Sequence, residues 1–332
     1  MKGLSFLALT LVLVSCGTRS GYFKIDGRFL HLNQGEFFVY SPDGLVDGLD
    51  TIKVEGGRFT YETPCAESGT LVLVFSNFSE QPVFAESGRK VSITADASHL
   101  KELKVEGTDA NELMNTFRES IVKASPPEVK KAAERFIKDH PESIVSNYLF
   151  RKYFIQDSQD DYSKAVTLAD VLLKKQPQNG QLLNMQKAAK DLQRTQVGHT
   201  LPRFSATDID GRAITSNNLH GKYGIVYTWS SWSYESQDMQ RRIKAKYKKS
   251  ANKMAVIGIC LDATVKECRN SLRFDSLKWS IVCDEQMFDS PLLDKTGLHS
   301  VPSCLVLDPA GHIIARNLSP SDMKTKLDEL IR

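Results

Sequence analysis

One stretch of the sequence, Gly224–Gln237, constrains the fold more than any other. Within it, the β-branched and aromatic run Ile225–Trp229 predicts a short buried strand that ends at two serines. Directly after this turn, Met239, Ile243 and Tyr247 recur every four residues, which is the spacing of one buried helix face. A helix that begins at such a turn presents unpaired backbone N–H groups and the positive end of its dipole. The sequence therefore predicts a strand–turn–helix unit with an electropositive helix terminus at the turn.

The turn carries a family resemblance. Trp229–Ser236 resembles the strand-to-helix turn of thioredoxin-like proteins of the extracytoplasmic thiol–disulfide oxidoreductase type. In that family a tryptophan precedes a Cys-x-x-Cys pair. The pair lies at this turn because the helix terminus stabilises a thiolate. In this register Ser233 and Ser236 stand at the positions of the attacking and resolving cysteines. Val301–Ser303 resembles the cis-proline loop of the family, and Leu305–Arg316 resembles its final hairpin.

The resemblance implies an α/β thioredoxin-like domain over residues 197–332. It implies a cis peptide bond between Val301 and Pro302, in a bend that exposes backbone groups beside the helix terminus. The partner-binding face of such a domain would comprise Trp232, Tyr234, Val301 and Pro302.

The length of the chain requires more than this one domain. At 332 residues it is too long for a single thioredoxin-sized unit. We expect four segments: a lipoprotein signal peptide at residues 1–15, a small all-β, sandwich-like domain at 16–107, an α-helical connector at 108–196 and the thioredoxin-like domain at 197–332. In the β domain, Gly56–Gly57 separates two strand-like runs and predicts a two-residue hairpin.

The connector is predicted from helical spacing. Leu113, Phe117 and Ile121 recur every four residues, and Pro126–Pro127 suits the first turn of a second helix. An aromatic cluster at residues 148–155 is better explained by packing between helices than by a peptide groove. The preceding β domain resembles the β domains of Bacteroidetes-type thioredoxin lipoproteins, and we expect a binding or spacer role for it.

The first residues indicate the compartment. Leu4–Val14 is apolar but too short to span a bilayer, as expected of a signal peptide. It ends in Leu13–Cys16, which resembles a bacterial lipobox and implies cleavage before Cys16 and lipidation of its sulfur. An ordinary secretory signal is the alternative. We expect a periplasm-facing, membrane-anchored lipoprotein of the cell envelope.

Five further cysteines remain, and none lies in a Cys-x-x-Cys spacing: Cys65, Cys260, Cys268, Cys283 and Cys304. Cys260 and Cys268 occupy apolar faces and are expected in the core. Cys283 and Cys304 are a candidate alternative redox pair, which requires Cα atoms within about 7 Å. No cysteine and histidine group has zinc-ligand spacing, so we expect no metal and no cofactor.

The two serines predict lost redox chemistry. Disulfide exchange needs a thiolate, and a serine hydroxyl cannot form the mixed disulfide. Activating a serine as a nucleophile would require a neighbouring base, and the sequence has no Gly-x-Ser-x-Gly elbow. We expect Ser233 to cap the helix, and we expect no catalytic residue.

Three function classes stay open. The first is a redox-inactive thioredoxin-fold lipoprotein that binds an unknown periplasmic peptide or protein at the former active-site face. The second is a thiol–disulfide oxidoreductase that uses displaced cysteines, and the third is a structural envelope component. The absence of a Cys-x-x-Cys pair favours the first class over the second. A formal net charge of +3 is too small to predict nucleic-acid binding.

Overall fold

The computed structural model describes residues 19–77, 79–156, 162–273 and 277–331. The predicted signal peptide and Cys16 lie outside these residues. Backbone contacts divide the chain after Leu149 into two compact units, so the helices of the predicted connector are shared between them. None of the helices in the described ranges is long and apolar enough to cross a membrane.

The amino-terminal unit is built on one eight-stranded sheet, which confirms the all-β prediction. The strands are β1 (Tyr22–Leu30), β2 (Gln34–Tyr40), β3 (Leu49–Glu55), β4 (Arg58–Pro64), β5 (Gly69–Val74), β6 (Glu80–Ala85), β7 (Lys90–Asp96) and β8 (Lys104–Glu106). Their order is β6-β5-β2-β3-β4-β1-β7-β8. The sheet is continuous, where the sequence suggested a sandwich, because β1 pairs with both β4 and β7 and so joins the two halves.

The hairpin predicted at Gly56–Gly57 is present. Glu55 pairs with Arg58, and both glycines have positive φ, 57° and 73°, as a two-residue turn of this type requires. Alternate residues of the strands point to one face and form the core. Its centre is a cluster of four aromatic rings with centroids 5.0–5.9 Å apart, from Phe29, Phe37, Phe59 and Phe75.

Helix α1 (Asp109–Ile121) satisfies the backbone of both edge strands. The side-chain amide of Asn111 accepts a hydrogen bond from the N–H of Phe84 in β6 and donates one to its carbonyl, at 2.9 and 2.7 Å. One helical turn later, Asn115 makes the same two bonds to Val105 in β8, at 3.1 and 2.7 Å. The helix thus supplies hydrogen-bond partners to one residue on each edge of the sheet, where backbone groups otherwise lack a strand partner.

Two more helices end this unit, α2 (Pro126–Asp139) and α3 (Ile144–Phe150). Helix α2 begins at the predicted proline pair, and Ser125 and Glu128 form a capping box at its start. Helix α3 contains the boundary between the two units.

The carboxy-terminal unit begins with a π-helical turn (Arg151–Gln156), α4 (Ser163–Lys175) and α5 (Gly180–Arg194). The remaining elements are β9 (Ser205–Thr207), β10 (Ala213–Thr215), β11 (Tyr223–Trp229), α6 (Tyr234–Ser250), β12 (Met254–Cys260), α7 (Val265–Leu272), β13 (Ser280–Val282), α8 (Pro291–Thr296), β14 (Ser303–Leu307), β15 (Ile313–Arg316) and α9 (Pro320–Leu330). The central sheet has the order β13-β12-β11-β14-β15. Strands β11 to β13 are parallel, whereas β14 and β15 are antiparallel to their neighbours.

Strand β11 is central because both of its faces are buried. Ile225, Tyr227 and Trp229 pack into one apolar cluster, and Val226 packs into another on the opposite face. Successive side chains of a strand point to opposite faces, so a continuous apolar run suits a sheet covered by helices on both sides. The strand predicted at Ile225–Trp229 is thereby confirmed.

Arg316 joins the end of α5 to the thioredoxin-like part of this unit. Its buried guanidinium donates to the carbonyls of Thr195 and Gly297, at 3.0 and 2.9 Å, and to that of Leu192 at 3.3 Å. The same group lies 5.4 Å from the centre of the Tyr162 ring. Charge-assisted bonds to several carbonyls offset the cost of burying the cation.

Candidate functional site

The turn after β11 begins the site. Ser230 is buried at the end of the strand, and α6 begins four residues later at Tyr234. The Oγ of Ser233 accepts a hydrogen bond from the N–H of Ser236 at 3.3 Å, which confirms Ser233 as the helix cap. The site therefore has the predicted helix terminus, with a serine hydroxyl at its end.

Ser236 is buried, and its hydroxyl is occupied by the turn itself. It donates to the carbonyl of Ser233 at 2.8 Å and accepts from the N–H of Ser230 at 3.1 Å. In the described part of the chain, the hydrogen-bond partners of the Ser233 and Ser236 hydroxyls are all backbone groups. Within the described part of the chain, neither hydroxyl has a general base at hydrogen-bonding distance, so nothing activates a serine nucleophile.

Large hydrophobic side chains are exposed around this helix terminus. Trp232 is 59% exposed and Tyr234 is 78% exposed. Met287 and Phe288, in the loop after β13, are 37% and 48% exposed, and the ring centroids of Phe288 and Trp232 lie 6.5 Å apart. We call these four residues the aromatic face. Sequence analysis missed Met287 and Phe288, although an apolar pair in an otherwise polar loop was a usable signal.

The loop that carries Met287 has an unusual backbone. Glu285 and Met287 have positive φ, 60° and 50°, a region that side chains other than glycine seldom adopt. The Glu285 carboxylate accepts from the N–H of Val265 at 2.9 Å, and the hydroxyl of Ser290 donates to Asp284 at 2.5 Å. These bonds hold the loop in the conformation that exposes its apolar residues.

The proline loop lies at the start of β14. The peptide bond between Val301 and Pro302 is cis, which confirms the prediction, and both residues are partly exposed. Thr228 of β11 fixes the loop, because its hydroxyl donates to the carbonyl of Ser300 at 2.6 Å and accepts from the N–H of Ser303 at 2.8 Å. The backbone of Val301 makes no hydrogen bond to any other described residue.

A buried carboxylate forms hydrogen bonds with the turn. Asp262 follows β12, and its Oδ1 accepts from the N–H and the hydroxyl of Ser231, at 2.8 and 3.0 Å. Its Oδ2 has no hydrogen-bond partner among the residues described. Sequence analysis did not single out this residue, because an aspartate after a strand is common and only the fold places it under the turn.

The candidate redox pair of Cys283 and Cys304 is contradicted by the sheet topology. Cys304 in β14 pairs with β11, while Cys283 follows β13, so β11 and β12 lie between them. Three strand spacings separate the two positions by about 14 Å, twice the reach of a disulfide. The Cys304 thiol instead contacts the backbone of Leu318, and burial raises its pKa to about 12.

Three other thiols do meet. The sulfur atoms of Cys260, Cys268 and Cys283 all lie within 4.8 Å of one another, and all three residues are buried. The Cys268 thiol and burial together raise the pKa of Cys260, and burial raises the pKa of Cys283 to about 11. A high pKa keeps a thiol protonated, so Cys260 and Cys283 are poor nucleophiles at neutral pH.

A second set of metal-type ligands lies elsewhere in the same unit. Asp191, Asp294 and His299 each offer an oxygen or nitrogen atom, and the three atoms lie within 4.8 Å of one another. The sequence predicted no metal site, because no cysteine and histidine group has zinc-ligand spacing, and Asp191 lies far from Asp294 and His299 in the chain. Only the packing of α5 against α8 brings them together.

Comparisons with known proteins match the two parts separately. Residues 23–114 match a domain of unknown function, DUF4369, and residues 197–316 match the AhpC/TSA family. The thiol-disulfide oxidoreductase ResA of Bacillus thuringiensis is 22% identical over 125 residues, which are 37% of this chain and 70% of that protein.

Solved structures similar to this chain cover the same part. A thiol-disulfide oxidoreductase from Bacteroides fragilis is 26% identical and covers 40% of this chain and 99% of its own, with a TM-score of 0.36. The carboxy-terminal domain of a putative thiol-disulfide oxidoreductase from Bacteroides thetaiotaomicron is 25% identical, covers 41% and 96%, and has a TM-score of 0.38. Together with the fold described above, the family match makes the carboxy-terminal domain of this chain a thioredoxin-like domain of the AhpC/TSA type, preceded by an all-β domain.

Proposed function

We propose that this chain is a redox-inactive thioredoxin-fold protein that binds an extended peptide or a partner protein at its former active-site face. The face combines Trp232 and Tyr234 of the turn with Val301 and Pro302 of the cis-proline loop. In this proposal the protein is a lipoprotein, anchored through Cys16 and facing the periplasm. Its partner belongs to the same compartment.

The observation that carries the proposal is the aromatic face. Six large hydrophobic side chains are exposed in the described part of the carboxy-terminal unit, and four of them belong to this face: Leu183, Val197, Trp232, Tyr234, Met287 and Phe288. Isolated exposed hydrophobic residues are ordinary, but a group of them marks an interaction surface. Tryptophan and tyrosine are also the residues that contribute most to binding energy in protein interfaces.

The proline loop supplies a way to recognise a polypeptide backbone. The N–H and carbonyl of Val301 are not used by the described part of the chain, and the residue is partly exposed beside the turn. An extended peptide that pairs with this backbone would gain main-chain hydrogen bonds, and the aromatic face would receive its side chains. Such a mode suits a partner whose bound segment is extended.

The serines account for the lack of redox chemistry in this proposal. Ser233 and Ser236 occupy the two positions where the family resemblance places cysteines, and neither hydroxyl can take part in thiol–disulfide exchange. Binding at the turn needs neither sulfur atom. A partner-binding surface can therefore persist without the reaction.

A titration of the full chain with an unfolded, S-carboxymethylated polypeptide tests the proposal. Isothermal calorimetry should detect binding to the wild type and about tenfold or weaker binding to the Trp232→Ala/Phe288→Ala double variant. Leu183→Ala is the matched control, because it removes an exposed leucine of α5 that is not part of the aromatic face and should leave the affinity unchanged. Equal affinity of the double variant and the wild type, or no binding to either, would contradict the proposal.

A second candidate is a thiol–disulfide oxidoreductase with displaced cysteines. The proximity of Cys260, Cys268 and Cys283 favours it, whereas their burial and the raised pKa of Cys260 and Cys283 oppose it. Reduction of insulin by the wild type, lost on Cys283→Ser, would favour this candidate over the binding protein.

A further inference from the structure

Three potential metal ligands that are distant in sequence meet in the carboxy-terminal unit. Asp191 lies in the last turn of α5, Asp294 lies in α8, and His299 lies in the loop that leads to Pro302. One ligand atom from each lies within 4.8 Å of the other two. We propose that Asp191, Asp294 and His299 bind a divalent transition-metal ion of the Zn²⁺ class.

The carboxylate of Asp191 provides an independent reason for a cation here. The residue is only 1% exposed, so water does not solvate it. One of its oxygens, Oδ1, contacts Arg194, whereas Oδ2 has no hydrogen-bond partner in the described ranges. A buried carboxylate oxygen without a partner is unfavourable, and a bound cation would remove this cost.

Access to the site is open from one side. The Asp294 side chain is partly exposed and the His299 side chain is exposed, while Asp191 forms the buried end. Lys187 contacts Asp294 and Arg194 contacts Asp191, but both cationic side chains are largely exposed. Because an exposed ion pair contributes little stability, an incoming metal can displace the lysine into water at small cost.

The ligand types select the kind of metal. Ca²⁺ and Mg²⁺ bind through oxygen ligands, so a set of ligands that includes an imidazole nitrogen does not suit them. An imidazole and two carboxylates instead suit Zn²⁺, Co²⁺ or Mn²⁺, and coordination to nitrogen favours the first two.

The three residues belong to three different segments of the chain, α5, α8 and the loop that follows α8. A metal held by these three residues would tie α5 to α8 and to the loop before Pro302, and would stabilise this side of the unit.

Cobalt is a useful probe because its absorption distinguishes ligand types. The chelator-treated full chain should bind one equivalent of Co²⁺ with weak visible bands and without the intense near-ultraviolet band of thiolate coordination. Zn²⁺ should displace the cobalt and raise the melting temperature followed by tryptophan fluorescence. His299→Ala and Asp294→Asn should each weaken binding at least tenfold, and neither variant changes a buried side chain. His220→Ala, an exposed histidine of the same unit, should leave the affinity unchanged.

Three results would overturn the metal site. One is the absence of stoichiometric Co²⁺ or Zn²⁺ binding at micromolar metal concentrations. The second is binding that survives both His299→Ala and Asp294→Asn. The third is a thiolate charge-transfer band that disappears on Cys283→Ser, because this would assign the metal to the three cysteines.

Discussion

Ser233 and Ser236 stand three positions apart, but the structure uses their hydroxyls differently. The Ser233 hydroxyl caps α6 at the surface, while the Ser236 hydroxyl is enclosed and bonded to Ser230 and Ser233. Loss of a cap typically costs about 1 kcal/mol. Loss of the buried hydroxyl leaves backbone groups unpaired, at about 1–3 kcal/mol.

We therefore expect Ser236→Ala to destabilise the carboxy-terminal unit more than Ser233→Ala does. Urea unfolding followed by tryptophan fluorescence measures this unit alone, since Trp229, Trp232 and Trp279 are the three tryptophans of the chain. Ser271→Ala, at an exposed position of α7, should change the free energy of unfolding by less than about 0.5 kcal/mol. Equal effects of Ser233→Ala and Ser236→Ala would show that the Ser236 hydroxyl does not hold the turn.

The buried thiols should be slow nucleophiles. With a pKa of about 11, the Cys283 thiol is about 0.01% ionised at pH 7, whereas an ordinary cysteine is about 3% ionised. The pKa is raised above its usual value, so the thiolate and the alkylation rate should both grow as pH rises towards 11.

Alkylation with iodoacetamide, followed by mass spectrometry, checks this expectation. At pH 7 the described cysteines of the folded protein should react at least about 100-fold more slowly than those of the urea-unfolded chain, since only the thiolate reacts. Rapid modification of Cys283 or Cys260 in the folded protein would speak for an active thiol and for the oxidoreductase alternative.

At the scale of elements, α1 forms hydrogen bonds with the backbone of both edge strands of the amino-terminal sheet. Asn111→Ala would leave the N–H and carbonyl of Phe84 without partners in a buried setting. We expect the Phe84 amide to exchange with solvent at least about tenfold faster in this variant, since losing such a pair costs about 1–3 kcal/mol. Thr116→Ala, on the exposed side of α1, should leave this exchange unchanged. No difference in hydrogen exchange between the two variants would show that the asparagine does not hold the edge.

The strand–turn–helix unit is predictable from sequence because its signals are local. The continuous apolar run of β11, the cap at Ser233 and the helix face of Met239 and Ile243 all lie within about twenty residues, and the structure has each of them. The cis peptide bond at Pro302 is predictable from the family resemblance. These elements determine where the candidate site lies.

Contacts between residues on different strands depend on the order of the strands in the sheet, and local sequence signals do not predict that order. Cys283 and Cys304 both follow apolar runs, and the sequence does not say that two strands lie between them. Asp262, Met287 and Phe288 belong to the site only because β12 pairs with β11 and β13 pairs with β12, all three parallel, so that the strands end at the same edge of the sheet. Contacts of this kind are determined by tertiary packing, which local sequence patterns do not report.

At the scale of the whole molecule, the sequence separates an all-β part, helices and a thioredoxin-like part. It does not reveal that α1 and α2 belong to the amino-terminal unit while α4 and α5 belong to the carboxy-terminal one. Helical spacing identifies a helix but not the surface it packs on. Asn111 and Arg316, which attach helices to each unit, are polar residues that a pattern search assigns to solvent.

Anchoring of the whole chain is a prediction from the lipobox at Leu13–Cys16. The wild-type protein should partition with membranes after cell fractionation and carry acyl chains, because lipidation of Cys16 would insert them into the bilayer. Cys16→Ser should lose the lipid, as mass spectrometry of the amino terminus would show. Wild-type protein that is cleaved at another position and released into the periplasmic fraction would refute this anchor.

In our proposal the turn keeps the thioredoxin scaffold and lacks only the two cysteines. One comparison of disulfide reductase activity tests this proposal most directly. Insulin reduction is measured for the wild type and for the Ser233→Cys/Ser236→Cys variant. We predict no activity for the wild type, and activity for the variant with a thiol at position 233 whose pKa lies below the ordinary value of about 8.5, because the terminus of α6 stabilises a thiolate. Insulin reduction by the wild type, or a folded variant whose new thiol titrates like an exposed cysteine, would contradict a redox-inactive site on an intact thioredoxin scaffold.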